Sequence, residues 1–118
     1  MSALPKIAEL LKQPEKMRVM CAEACGIRPT QYFSRIVWAY GGLMHDAPLP
    51  YDTSLDAMAE AEATLTDDEK VAYYCKALPA ITGADLDAWM HIELPKVASA
   101  TAIQRLAGFL IAKGLAQP

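Results

Sequence analysis

The chain has 118 residues, 53% apolar and 21% charged, with a net charge of −3. That length predicts one domain over residues 1–118, with chain enough to bury a core without staples. No apolar run approaches the roughly 18 residues of a membrane span, the N-terminus lacks a signal-peptide pattern, and three cysteines (Cys21, Cys25, Cys75) do not make a disulfide framework.

The charge is unevenly spread. Residues 1–35 carry six basic against three acidic side chains, residues 44–95 eleven acidic against two basic, and the tail adds Lys96, Arg105 and Lys113. An acidic centre of this size excludes duplex DNA as the main ligand, because phosphate neutralisation dominates such binding. A basic protein partner stays compatible with it.

Residues 4–12 read as a short amphipathic helix with Ile7, Leu10 and Leu11 on one side. Pro14 suits the first position of a second helix, which runs to Cys25 and stops at Gly26. Its Met17, Met20, Cys21 and Ala24 keep one inward face. Residues 30–40 are rich in Tyr, Phe, Ile, Val and Trp and favour a strand, with a tight hairpin at Gly41-Gly42. Phe33, Ile36, Val37 and Tyr40 also satisfy helical spacing, so a helix is the alternative. As a strand, this run puts Tyr32, Trp38 and Tyr40 on one face and Arg35 on the other.

Two prolines between Asp46 and Pro50 make a loop. Thr53 is placed to cap the next helix, with Asp56 in its first turn and Leu55, Met58, Ala59 and Glu62 along one face. Thr66 followed by Glu69 is a capping box, and Val71, Tyr74, Cys75 and Leu78 form the apolar face of the helix it opens, with Pro79 at its end. Residues 86–94 alternate loosely and read as a strand. Ser99 is the expected cap of a last helix that ends before Gly114 and is apolar around most of its circumference, so it must be buried on more than one side. Glu62 interrupts an apolar stripe, and Arg105, at the margin of the apolar arc of the last helix, is its expected partner; a simply exposed Arg105 is the alternative.

These elements define an α+β fold, a small antiparallel sheet of two or three strands packed with four or five helices; an all-α bundle is the alternative. No P-loop, GxSxG or HExxH pattern is present. Cys25 lies at a helix C-terminus, where the dipole works against a thiolate. Cys-x3-Cys is not a zinc-knuckle spacing, so Cys21, Cys25, Cys75, His45 and His91 are not expected to hold a metal. No catalytic residue and no cofactor are expected. Arg28, Tyr32, Arg35, Trp38, Tyr40 and Arg105 are the binding candidates, since arginines beside aromatics suit either a protein hot spot or a nucleotide.

Three stretches carry a resemblance. Residues 18–26 (RVMCAEACG) resemble the "IAEACGW" opening helix of small, uncharacterised tailed-phage and prophage proteins. Residues 49–62 (LPYDTSLDAMAEAE) resemble their "lPdYlnDLNAMHEAE", and residues 100–110 (ATAIQRLAGFL) their "ATAaqRaeAFL". The order matches and the three stretches frame about a hundred residues. Ala59 stands where that pattern has His, Ile27 where it has Trp, and the closing Trp is missing. The resemblance implies an ABA-sandwich-like α+β fold and a phage or prophage origin. The expected function is then a non-catalytic accessory protein, acting in the host cytoplasm against a defence system by binding a host protein or complex. An oligomeric sponge for a nucleotide immune signal, with Arg28, Arg35 and Arg105 on phosphate and Trp38 or Tyr32 stacking, is one alternative, and a structural or replication-module protein is another. So apolar a last helix and so small a sheet point to a homodimer or higher homo-oligomer.

Overall fold

A computed structural model of the chain describes residues 4–83 and 98–118. The fold is α+β. In chain order the elements are α1 (Ile7–Leu10), α2 (Pro14–Ala24), β1 (Pro29–Tyr32), β2 (Arg35–Tyr40), β3 (Leu43–His45), α3 (Leu55–Glu62), α4 (Asp67–Ala72), a π-helical turn (Tyr73–Ala77), α5 (Leu78–Thr82) and α6 (Ala102–Ala112). The strand expected over 86–94, with His91, lies outside the described residues.

The element on which the others pack is α6. Ala102, Leu106, Ala107, Gly108, Phe109 and Leu110 are all buried on it, as an almost wholly apolar helix requires. Around it stand Met17 and Cys21 of α2, Met58 and Ala61 of α3, and Tyr73 and Leu78 beyond α4. Its cap is Thr101 rather than Ser99: the Thr101 hydroxyl accepts from the Gln104 amide at 3.3 Å and the Gln104 side chain returns the bond at 2.9 Å. Glutamine at the third helical position makes that reciprocal pair possible.

Glycine ends both α2 and α6 in the same way. Gly26 takes φ 84°, the amide of Ile27 reaches back to the Ala22 carbonyl at 2.9 Å, and Ile27 packs on the core. Positive φ is what lets these otherwise unpaired carbonyls be satisfied. Leu115 repeats the bond to Leu110 at 2.9 Å after Gly114, and the tail then meets the start of the chain, where the Ile7 amide donates to the Gln117 carbonyl at 2.8 Å.

Helix α3 is capped one residue later than expected, by Ser54, whose hydroxyl accepts from the Ala57 amide at 3.1 Å. Its buried stripe is Ala57, Met58, Ala61 and then Leu65, while Leu55 is exposed. The capping box of Thr66 and Glu69 opens α4 as predicted, with bonds of 3.2 and 2.9 Å. The face of the helical rod that follows differs from the expectation. Val71, Tyr74 and Cys75 are exposed, and Tyr73, Ala77 and Leu78 are buried. Proline bears on the part of the rod beyond Tyr73, although Val71 is exposed already before it. Pro79 does not end the rod but sits in α5, and its ring would clash with the carbonyl four residues back. The π turn absorbs it, the Leu78 amide bonding to Tyr73 five residues back, and the extra residue advances the buried face.

The three strands form one antiparallel sheet in the order β1-β2-β3. The second turn is the predicted Gly41-Gly42, both at positive φ. The first lies inside the β-rich run, where Phe33 and Ser34 join Tyr32 to its partner Arg35. That turn moves Tyr32 off the expected face. It lies across from Arg35, whereas Ile36, Trp38 and Tyr40 share the opposite face with Gln31, Leu43 and His45.

Candidate functional site

The sheet is unusual in what it leaves uncovered. Trp38 is the one strand residue in the main core, with Tyr40 packed partly against it. Phe33 is 86% exposed, Leu43 67%, Met44 59% and Ile36 58%. Apolar side chains gathered on one small element, with solvent on them, are the usual mark of a surface that meets something else.

Phe33 is the sharpest of these. It is the sole non-glycine residue at positive φ among the described residues, at 55°, and it sits at the tip of the β1–β2 hairpin. A bulky side chain in that region costs about 1–2 kcal/mol. The Gln31 side chain steadies the turn by donating to the Phe33 carbonyl at 3.0 Å, and the Tyr32 ring meets the Phe33 ring edge-on at 4.7 Å between centroids. Arg35 stands across from Tyr32 and pairs loosely with Asp46 at 3.5 Å, both side chains mostly exposed. Farther along β2, Tyr40 and His45 stack at 3.8 Å with planes 7° apart, and the Tyr40 hydroxyl donates to the Ala47 carbonyl at 3.0 Å. This ties the loop after β3 to the sheet.

Of the predicted binding set, Tyr32 and Arg35 come together at the hairpin. Arg28 is exposed just before β1, beside Glu23 and Pro29 in a shallow depression. Trp38 is buried and presents no stacking face. Arg105 is remote from the sheet, and its donors are occupied: Nε by the Ala100 carbonyl at 3.1 Å, Nη2 by the Ala98 carbonyl at 3.0 Å and Nη1 by Glu62 at 3.2 Å. Among the described residues, the depression beside Arg28 is lined by Glu23 and Pro29 and does not include Arg35, Trp38 or Arg105. Sequence reasoning missed Phe33 as a surface residue because its spacing suited a buried helix face equally well.

The Glu62–Arg105 pair is present, with 12% and 18% of the two side chains exposed. The Tyr74 hydroxyl also reaches Glu62, at 3.4 Å, and the buried Tyr73 hydroxyl beside it has no partner in hydrogen-bonding geometry. Two further bridges join helices to their surroundings. Arg18 of α2 grips Asp52 with two donors, and Lys113 reaches Glu69 at 2.9 Å. Forked guanidinium–carboxylate contacts of the first kind fix orientation as well as distance.

A second chemical cluster lies where α2 ends. Cys21 is fully buried and Cys25, one turn on, is half-buried. The Cys25 sulfur has the Thr64 hydroxyl at 3.9 Å, the Tyr51 hydroxyl and the Lys113 ammonium near it. The neighbouring Cys21 thiol first, and then Thr64, Lys113 and Tyr51, hold Cys25 down to about 7 against its partial burial. Cys21, donating and desolvated, is pushed far up. The helix dipole alone predicts the opposite for Cys25; Cys21 one turn back, with further groups from three other parts of the chain, outweighs it. Nothing local in the sequence reveals those further groups.

Among the described residues no group of three His, Cys, Asp or Glu side chains is placed to hold a metal ion, and no helix is long and apolar enough to cross a membrane. An open apolar groove of about 590 Å3 runs between α1, the π turn and α6, with Ile7, Leu11, Ile81 and Ile111 along it and Lys76 at its edge. No protein-family model matches the chain, and comparison with curated proteins and with solved structures finds no match.

Proposed function

We propose that this protein is a non-catalytic phage or prophage accessory factor that counteracts a host defence system by binding a host protein through its three-stranded sheet. The observation that carries the reading is Phe33, a large apolar side chain held at a strained hairpin tip with 86% of its surface in water. Folding does not require it there, since a glycine or asparagine makes the same turn without strain. Beside it, Tyr32 and Arg35 on one face of the sheet and Ile36 on the other supply aromatic, guanidinium and aliphatic groups of the kind that build protein hot spots. The acidic centre of the chain is compatible with a basic protein partner, with its carboxylates lying outside the three strands. The resemblance of residues 18–26, 49–62 and 100–110 to phage and prophage proteins supplies the biological setting and the host cytoplasm as the place of action.

A plating assay tests this directly. The chain is expressed in a panel of hosts, each carrying one defence system, and phage plating is scored against a Phe33→Asp, Ile36→Asp double variant. Plaques restored in a defended strain by the parent and lost with the variant, at an unchanged melting temperature, are the expected result. Equal plating by parent and variant overturns the role of the sheet. Heat on titration with cyclic or ADP-ribose-type nucleotides replaces protein binding with nucleotide sequestration.

A further inference from the structure

We propose that Cys25 and Cys21 form a thiol–disulfide exchange site, in which Cys25 reacts with a low-molecular-weight disulfide and Cys21 resolves the product into an intramolecular Cys21–Cys25 disulfide. It lies apart from the sheet and does not rest on the binding function.

The geometry separates the two roles. Cys25 is partly open to solvent and occupies the C-cap of α2, at φ −84° and ψ 3°, already outside regular helix. It can move without unwinding the preceding turns. Cys21 is fully buried directly beneath it and cannot meet a bulky reagent first. Four residues of helix put their Cα atoms about 6 Å apart, inside the range that a disulfide spans.

The chemistry divides in the same way. The charged and titratable groups facing Cys25 are Cys21 from its own helix, Tyr51 from the turn before α3 and Lys113 from the end of α6, with the Thr64 hydroxyl from the end of α3 beside them. Cys21 and Tyr51 carry protons and Lys113 a positive charge, so these three favour the thiolate, while the Thr64 hydroxyl gives its proton to the Ala61 carbonyl at 2.7 Å. The first proton to leave the pair therefore leaves Cys25, near neutral pH, while Cys21 stays protonated as the donor.

The steps balance as ordinary exchange. The Cys25 thiolate attacks one sulfur of R–S–S–R, forming a Cys25–S–S–R bond and expelling RS⁻, which takes up a proton. That reaction removes the anion beside Cys21, whose charge had held the Cys21 proton in place. Cys21 then gives its proton to solvent and attacks the Cys25 sulfur, expelling the second RS⁻. The small disulfide is reduced to two thiols and the protein loses two hydrogens. A bond across one helical turn bends the C-cap, so the product is strained and readily re-reduced.

The test uses the full chain in a Cys75→Ser background, because Cys75 is an exposed thiol that reacts on its own account. Oxidised glutathione is added and intact mass and alkylatable thiols are followed. The parent is expected to lose both thiols and two mass units with no lasting adduct, Cys21→Ala to stop at one glutathione adduct on Cys25, and Cys25→Ser to gain no adduct. Cys21→Ser is made alongside, in case one substitution at so buried a position prevents folding. The initial rate is expected to rise about fivefold from pH 6 to 7 and less than twofold from pH 7 to 8, following a thiolate that forms near 7. A lasting adduct on the parent overturns the resolving role of Cys21. A rate still climbing about tenfold from pH 7 to 8 is that of an ordinary thiol and overturns the site.

Discussion

The helical body and the three-stranded sheet obey different rules, although one chain of 118 residues makes both. In the body, α6 buries apolar side chains on nearly all sides, and three ion pairs tie its neighbours together: Arg18–Asp52, Glu62–Arg105 and Glu69–Lys113. In the sheet, four large apolar residues face solvent and the ion pair, Arg35–Asp46, is loose and exposed. Burial explains most of the sequence of the first region, with Leu55, Val71 and Tyr74 as exceptions. It leaves much of the second unexplained, and that residue of unexplained apolar surface is where a partner belongs.

The largest effect that separates the two regions is a cavity in the body. Phe109 has no exposed surface, and its ring lies under the Lys113 ammonium at 5.7 Å. Phe109→Ala is expected to cost about 3–5 kcal/mol in urea unfolding, because the ring leaves a void that packed neighbours fill poorly. Ile36→Ala on the sheet, at an exposed position, is expected to cost under about 0.5 kcal/mol. Similar losses at the two sites would mean that the sheet is as much a part of the core as α6, and the contrast would fail.

Next in size is the clasp between α3 and α6. Removing Arg105 by Arg105→Met strands a mostly buried Glu62 and frees two carbonyls, so a loss of about 2–3 kcal/mol is expected, somewhat below that of a fully buried pair. Glu62→Gln alone is expected to cost about 1–2 kcal/mol, since the amide retains some hydrogen bonding. In the double variant the losses should fall short of their sum by about 1 kcal/mol, the coupling of the pair. The same cycle on Arg35 and Asp46 should give a coupling within about 0.5 kcal/mol of zero, as exposed pairs do. Strict additivity at Glu62 and Arg105 would show that the contact does not join α3 to α6 energetically.

Features written within a few residues of each other were legible in the sequence. Thr66 and Glu69 announce their capping box, Gly41-Gly42 their turn, and a carboxylate inside an apolar stripe announces that a cation must come to it. Features set by distant or competing causes were not. Pro79 goes with a π turn over Tyr73–Ala77, so steps of 3.6 do not carry through that stretch, and Val71, before the turn, is already exposed. The reversal at Phe33-Ser34 carries no glycine or asparagine, and that hid both the hairpin and the true face of Tyr32. Arg18 and Asp52 are 34 residues apart, and of the groups around Cys25 only Cys21 lies nearby in sequence; residues 51, 64 and 113 are brought there by the fold.

The smallest expected change is the most pointed. Phe33→Gly removes a side chain that is almost wholly in water and relieves a backbone conformation that costs a bulky residue about 1–2 kcal/mol. Against that gain stand the lost ring contact with Tyr32 and the extra freedom that glycine brings to the unfolded chain, together about 1 kcal/mol. The net result should lie between no change and a stabilisation of about 1 kcal/mol, read from thermal and urea unfolding of the same sample. A substitution that leaves the fold intact or improves it while abolishing plating in a defended host would locate the use of Phe33 outside the molecule. A loss of more than 1 kcal/mol would instead make Phe33 a structural part of the hairpin, and the binding surface would have to be sought on Leu43 and Met44 at the far edge of the sheet.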